Sequence, residues 1–455
     1  MFRAQKVRRR RQRAWLTLAG VVMAMSLFVA FRVQKKSGSP GYSSVSHPVQ
    51  SPTPTPDLTT PGKIIGLKHL ATVSQETLDS QSRQLFAATT FSVAKMGVEE
   101  YQFSYTSKDP RSERPILLTG RAYIPHAAHS APGFIFGPGT TGPGAICAPS
   151  LEQSRHKNWG QYDSHLAYYA GQGYAVATTD YDNRDTPGGL SHYFVGEVEA
   201  RAMLDLARAM LSFSDKPRFE GQVVANSFFM AGFSQGGHAA LWADQLNAEY
   251  APDISIKGVV GFAPATDLQR TFLDTVNGTA TIWLPPYLLA AYNDYYQVDI
   301  KPESMLLEPF STSLAHDVST NCIDQLEVHS GHYGPSTNTA KVYAAAFIDS
   351  LRLGQFAQNF PVLANLLSKN LAGAQAAHVP VLTLAGEKDY VILAGAQVDL
   401  AKRLCQGATQ PVGLSIYPGA THYNIMSVAA SQSLSWMEQV LSHQPVASDC
   451  PRYSL

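Results

Sequence analysis

The 455-residue sequence contains no Cys-x-x-Cys pair, which argues against a zinc ribbon or a dithiol redox centre. It has no internal repeat, so repeat architectures are set aside. It has no surplus of either charge. Lys+Arg and Asp+Glu each count 35, and charged residues make up only 15%, so no global field invites nucleic acid or an acidic partner. His329 and His332 stand close together in "HSGHYG", but no carboxylate–histidine motif accompanies them. Metal-dependent hydrolysis is therefore disfavoured, and that stretch reads as a polar loop.

The overall charge balance hides a local excess. Arg3, Lys6, Arg8, Arg9, Arg10, Arg11 and Arg13 precede "AWLTLAGVVMAMSLFVAF" at 14–31, which carries no formal charge. That length is short for a membrane span and long for the core of a signal peptide. Bulky Phe28 stands where a cleavage site ending at Ala30 wants a small residue, and Arg32, Lys35 and Lys36 follow. The expectation is an uncleaved signal anchor within 1–36, with the remainder outside the cytoplasm; a cleaved leader exports the domain equally. The paired arginines fit a twin-arginine signal poorly. Residues 37–61, rich in Ser, Thr and Pro, read as a solvated tether. Residues 62–455 then form the main domain.

Cys147, Cys322, Cys405 and Cys450 are an even set on a chain expected to be exported, so disulfides are expected, with three pairings open. Within the domain, short apolar runs alternate with amphipathic stretches, the signature of a mostly parallel α/β sheet with helices on both faces. The expected strands are 115–125, 133–137, 174–181, 227–233, 256–264, 379–386 and 413–419. A helix over 197–213 places Met203, Leu206, Ala207, Met210 and Leu211 on one stripe, and a last helix spans about 426–443. From about 266 to 375 the alternation stops and helical segments such as 283–296 and 341–360 take over. An insertion there predicts a helical cap over the carboxyl ends of the strands, where open sheets bind ligands.

One serine stands out within this pattern. "AGFSQGGH" at 231–238 holds Gly-x-Ser-x-Gly, whereas "GLSHY", "GPSTN" and "GLSIY" lack the second glycine. The motif alone arises by accident in about one such chain in six, so its surroundings must decide. "SFFMA" before it is a strand and "HAALWADQLNAEY" after it a helix, the strand–turn–helix setting of a nucleophile elbow. A serine hydroxyl needs a base, and the base a carboxylate, in the chain order Ser, acid, His. Asp389 follows the strand 379–386, and His422 follows the strand 413–419. Ser234, Asp389 and His422 are therefore the expected triad, with Glu387 as reserve acid. His238 sits too near Ser234 on the helix to be the base and is expected to pack or cap. Backbone N–H groups of Gln235 and of the glycine-bearing loop after 133–137 are the expected oxyanion donors.

Three blocks, "GPGTTGPGAICAPS", "TTDYDNRDTPGGLSHYFVGEVEARAMLDLARA" and "GFSQGGHAALWA", together resemble the secretory lipase family of α/β-hydrolases over about residues 100–440. The resemblance implies an α/β-hydrolase fold and an acyl-ester hydrolase with a helical cap, needing no metal or organic cofactor. It matches Ser234, Asp389 and His422 to the triad and Thr140 with Gln235 to the oxyanion hole. It also implies Cys147 joined to Cys322 in the cap, leaving Cys405 with Cys450. Two departures stand out. Pro138 replaces a histidine of the family pattern beside the oxyanion loop, and "DNRDTPG" replaces a glycine-rich run.

The leading expectation is an exported serine hydrolase cleaving lipid or other acyl esters through an acyl-enzyme on Ser234. The same triad also serves peptide cleavage or acyl transfer to an alcohol. A non-catalytic recognition module on a hydrolase scaffold is the remaining alternative. The expected partners are an ester or lipid substrate and, through 14–31, a membrane, with no nucleic acid; oligomeric state is left open.

Overall fold

The apolar runs of the sequence enter one nine-stranded sheet. The computed structural model describes residues 58–87, 89–127, 130–184, 188–215, 224–324 and 339–453. The basic leader, the 14–31 segment, most of the 37–61 tether and the His329/His332 stretch lie outside the described residues. Among the described residues no helix is long and apolar enough to cross a membrane.

The strands are β1 (Ile64–Val73), β2 (Val98–Lys108), β3 (Pro115–Pro125), β4 (Ala131–Gly137), β5 (Ala175–Thr179), β6 (Val224–Phe233), β7 (Ile256–Phe262), β8 (Val381–Gly386) and β9 (Val412–Tyr417). Their spatial order is β1-β2-β3-β5-β4-β6-β7-β8-β9. From β5 to β9 every pairing is parallel, while β1, β2 and β3 pair antiparallel and β3 joins β5 antiparallel. The parallel strands carry helices on both faces, so they read as continuous apolar runs; Phe228, Phe229, Met230 and Ala231 of β6 are all fully buried.

Helices Gly196–Leu211, Gln235–Tyr250 and Ala394–Cys405 pack into one core on one face of the sheet. Helices Tyr162–Gly171 and Ile425–Leu441 pack into a second core on the other. The stripe expected on Gly196–Leu211 is buried at Met203, Leu206, Ala207 and Met210, with Leu211 partly covered.

Between β7 and β8 the chain leaves the sheet and forms the helices Leu268–Val276, Leu284–Tyr296, Phe310–Thr320, Ala345–Arg352, Phe356–Asn359 and Pro361–Lys369. These share an apolar core of their own, built on Phe272, Leu288, Tyr292, Phe347 and Leu367, to which Val391 and Ile392 from the loop after β8 contribute. The segment expected as helix over 341–360 is instead two helices. Gly354, at φ +68°, ends the first in the left-handed conformation that closes helices. Two disulfides brace the domain: Cys147–Cys322 ties the loop after β4 to the cap insertion, and Cys405–Cys450 ties a sheet-facing helix to the chain end.

Candidate active site

β6 runs straight into helix Gln235–Tyr250, and the turn between them is Ser234 itself. Its backbone sits at φ 54° and ψ −111°, outside the regions a side chain prefers. The tightness of the turn accounts for the flanking glycines. A Cβ on Gly232 would lie 2.0 Å from the carbonyl oxygen of Gly236, and one on Gly236 would lie 1.7 Å from that of Gly137 on β4. Neighbouring strand ends hold the serine in place. Its N–H donates to Phe262 O at 2.9 Å, and its carbonyl accepts from Ala265 N at 3.1 Å. Gln235 is the first residue of the helix, so its N–H has no helical acceptor.

His422 and Asp389 come from the loops after β9 and β8. These two loops are stitched together where Lys388 N donates to Ala420 O at 2.8 Å. His422 Nδ1 lies 2.8 Å from Asp389 Oδ2, and both side chains are buried. The other carboxylate oxygen of Asp389 accepts from the N–H groups of Val391 and Ile392, each at 2.8 Å. With one oxygen held by the backbone, the second is aimed at the imidazole. The His422 ring packs on Phe233 at 4.7 Å between centroids, one residue before the serine. Glu387, the reserve acid, points elsewhere: its carboxylate accepts from Gly419 N at 2.9 Å.

Ser234, His422, Thr140, Phe233, Trp283 and Asp324 share the walls of one cavity of about 60 Å³. That is small beside the ~300 Å³ and more of ordinary ligand sites. Thr140 Oγ1 is within 2.7 Å of the Tyr193 hydroxyl, and burial raises that phenol well above its ordinary range, so it stays neutral. Asp324 is taken up by neighbours, accepting from Trp159 Nε1 at 2.9 Å and Lys157 Nζ at 2.7 Å. Partial burial would raise its pKa, but these bonds hold it below the usual carboxylate value.

Behind the serine lies a buried polar cluster that sequence reasoning missed. Glu199 accepts from Gln235 Nε2 at 2.7 Å and Phe194 N at 3.0 Å, and its second oxygen lies 2.8 Å from His238 Nδ1. His238 Nε2 reaches the carbonyl of Asn370 in the cap insertion at 2.8 Å. His238 thus packs and links, as its position near Ser234 suggested, and takes no place in the cavity. Glu199 did carry a local signal: it falls on the same helical stripe as Met203, Leu206 and Met210, where a charged residue is buried only with a partner. No group of histidine, cysteine and acidic side chains able to hold a metal occurs among the described residues.

A model of the family described as secretory lipase matches residues 160–449, well over half of the chain. The chain belongs to the secretory lipase family. Among curated proteins it is 36% identical over 140 residues to a trichothecene C-3 esterase of Fusarium sporotrichioides, covering 30% of this chain and 29% of that one. It is also 36% identical over 127 residues to a probable inactive lipase of Mycobacterium tuberculosis, covering 28% and 26%. The matched stretches therefore span less than a third of these curated relatives. Among solved structures, the rice cell wall degrading esterase LipA of Xanthomonas oryzae superposes with a TM-score of 0.68 at 18% identity, covering 85% of this chain and 100% of that one. This last likeness places the secretory lipase chain in the fold of α/β-hydrolase esterases.

Proposed function

We propose that the protein is an exported serine hydrolase that cleaves carboxylic esters through an acyl-enzyme on Ser234. The observation that carries the reading is the cavity that Ser234 and His422 share, with Asp389 fixed behind the imidazole. In the proposed reaction His422 Nε2 takes the Ser234 proton as Oγ attacks the ester carbonyl. Asp389 holds the imidazole in the tautomer that leaves Nε2 free to accept, and stabilises the imidazolium that forms. The oxyanion is received by backbone N–H groups of Gln235 and Thr140. Collapse releases the alcohol, which takes its proton from His422. The same histidine then activates a water that attacks the acyl-serine, giving the carboxylic acid and free Ser234.

Family membership supports ester hydrolysis, and the two disulfides support an oxidising destination. Retention at a membrane through residues 14–31 is part of the proposal; detection of the full-length chain in the culture medium, free of membrane, would count against it. A relative described as an inactive lipase shows why the activity needs a direct measurement. The test is hydrolysis of p-nitrophenyl esters from acetate to palmitate by the full chain and by Ser234→Ala. Turnover by the wild type that vanishes in the variant is expected. Equal traces from both proteins would overturn the reading.

A further inference from the structure

The loop between β4 and the Cys147 disulfide, residues 138–144, must hold the Thr140 N–H still if it is to receive an oxyanion. Its own sequence, Pro-Gly-Thr-Thr-Gly-Pro-Gly, cannot do so. Pro138 and Pro143 fix only their own φ, while three glycines leave the rest of the backbone free, and Gly142 sits at φ +120°. The rigidity comes from outside the loop. Five of its seven carbonyls accept hydrogen bonds from other residues: Pro138 from the Tyr181 hydroxyl, Thr141 from Ile323 N, Pro143 from Ser191 N, and Gly142 and Gly144 from Arg184.

Arg184 differs from the other donors. One guanidinium nitrogen, Nη1, bonds both Gly142 O, at 2.8 Å, and Gly144 O, while Nε donates to Asp180 O at 3.1 Å. It therefore ties the loop to the chain just after β5. The anchor at that end is itself fixed. The Asp180 carboxylate accepts from Ser150 N, Ser150 Oγ and Thr119 Oγ1, each at 2.7 Å. Arg184 lies in the "DNRDTPG" segment that departs from the family pattern, so the clamp coincides with this chain's own variation.

We infer that Arg184 is a positioning residue of this hydrolase, clamping Gly142 and Gly144 so that the Thr140 N–H is held where the tetrahedral oxyanion forms. The inference rests on the ester-hydrolase reading above. Arginine suits the task because its planar fork is preorganised and a charged donor bonds about twice as strongly as a neutral one. Burial lowers its pKa to about 10, which still leaves it charged at neutral pH. Clamping matters most in the transition state, because a misplaced donor costs little until negative charge develops on the oxygen. Release of the clamp should therefore lower kcat and spare KM.

The experiment compares full-length wild type, Arg184→Lys, Arg184→Gln and Arg208→Gln on p-nitrophenyl acetate, with thermal midpoints for each. Arg208 ion-pairs with Asp205 and Asp253 away from the cavity, so its variant reports a stability loss unrelated to the loop. For Arg184→Gln the expected result is a kcat lower by about 10- to 100-fold with KM nearly unchanged, by analogy with the ~100-fold cost of small misplacements. Arg184→Lys should fall in between, since an ammonium keeps the charge and loses the fork. Arg208→Gln should melt earlier at an unchanged kcat. If Arg184→Gln does not fold, Arg184→Lys decides by the same split. A kcat within twofold of wild type, or a loss carried by KM, overturns the inference and leaves the hydrolase reading intact. A wild type that cleaves no ester removes that reading, and the inference with it.

Discussion

His422 Nδ1 stands 2.8 Å from Oδ2 of Asp389, a contact made between two loops 33 residues apart and closed to solvent. The carboxylate cannot turn away, because the N–H groups of Val391 and Ile392 hold its other oxygen. Asp389→Asn keeps the shape but offers a donor in place of an acceptor toward Nδ1, favouring the wrong imidazole tautomer. The expected result is a fall in kcat on the order of 10⁴-fold with KM little changed. Glu387 gives no rescue, since it is bonded to Gly419. Steady-state kinetics on a soluble ester check this, and a variant within tenfold of wild type would remove Asp389 from the triad.

Glu199 governs a different property. It is fully buried and satisfies three groups at once: Phe194 N, Gln235 Nε2 and His238 Nδ1. Glu199→Leu strips the partners from all three inside the core beneath Ser234. Leaving a buried polar group without its partner costs about 1–3 kcal/mol. Urea unfolding of wild type and variant should show a loss of that size, and a loss below about 1 kcal/mol, the worth of one ordinary hydrogen bond, would refute it.

Much of this arrangement was legible in the sequence, and the parts that were not share a cause. Strands buried on both faces announce themselves as apolar runs, and β3 was read to the residue at Pro115–Pro125. β1 and β2 went unread because they are only partly covered and carry polar residues such as Lys68, Glu99 and Gln102, which break up the apolar pattern. The split of the expected 341–360 helix did have a signal, Gly354 in "RLGQF", a helix stop outweighed by the surrounding apolar residues. Ser234, Asp389 and His422 could be picked out because each follows a recognisable strand. Arg184 could not, and Glu199 showed only as a charge on an apolar stripe. The partners that matter, Gly142 and Gly144 for Arg184 and Gln235 and His238 for Glu199, lie 36–42 residues away, and only the folded chain brings them together.

The two disulfides should differ in consequence. Cys147–Cys322 spans 175 residues and joins the loop that carries Thr140 to the cap insertion, whereas Cys405–Cys450 spans 45 at the far end of the chain. Loop-closure entropy makes the longer link worth about 1 kcal/mol more. Paired Cys→Ser variants at 147 and 322 should therefore melt lower than those at 405 and 450. Only the first pair should also lose turnover, because only it holds the loop beside Ser234. Melting curves and kcat for both double variants check this; equal turnover losses would show that the disulfides act on stability alone.

His165 gives stability a pH dependence of its own. It is buried among apolar neighbours with its ring against Phe86, its Nδ1 has no partner, and its Nε2 is 3.5 Å from Ser427 Oγ. Burial lowers its pKa to about 4. The unfolded chain titrates this histidine near 6.5. Above 6.5 both states are neutral there and the folded state keeps its full advantage. As pH falls from 6.5 toward 4, the unfolded state binds a proton that the folded state refuses, so stability drops, by up to about 3 kcal/mol. Below 4 the folded state is protonated too and the loss levels off. His165→Leu removes this component, so its thermal midpoint should fall less steeply than that of wild type between pH 6.5 and pH 4. Parallel curves across that window would mean that the imidazole finds a partner, or water, in the folded protein.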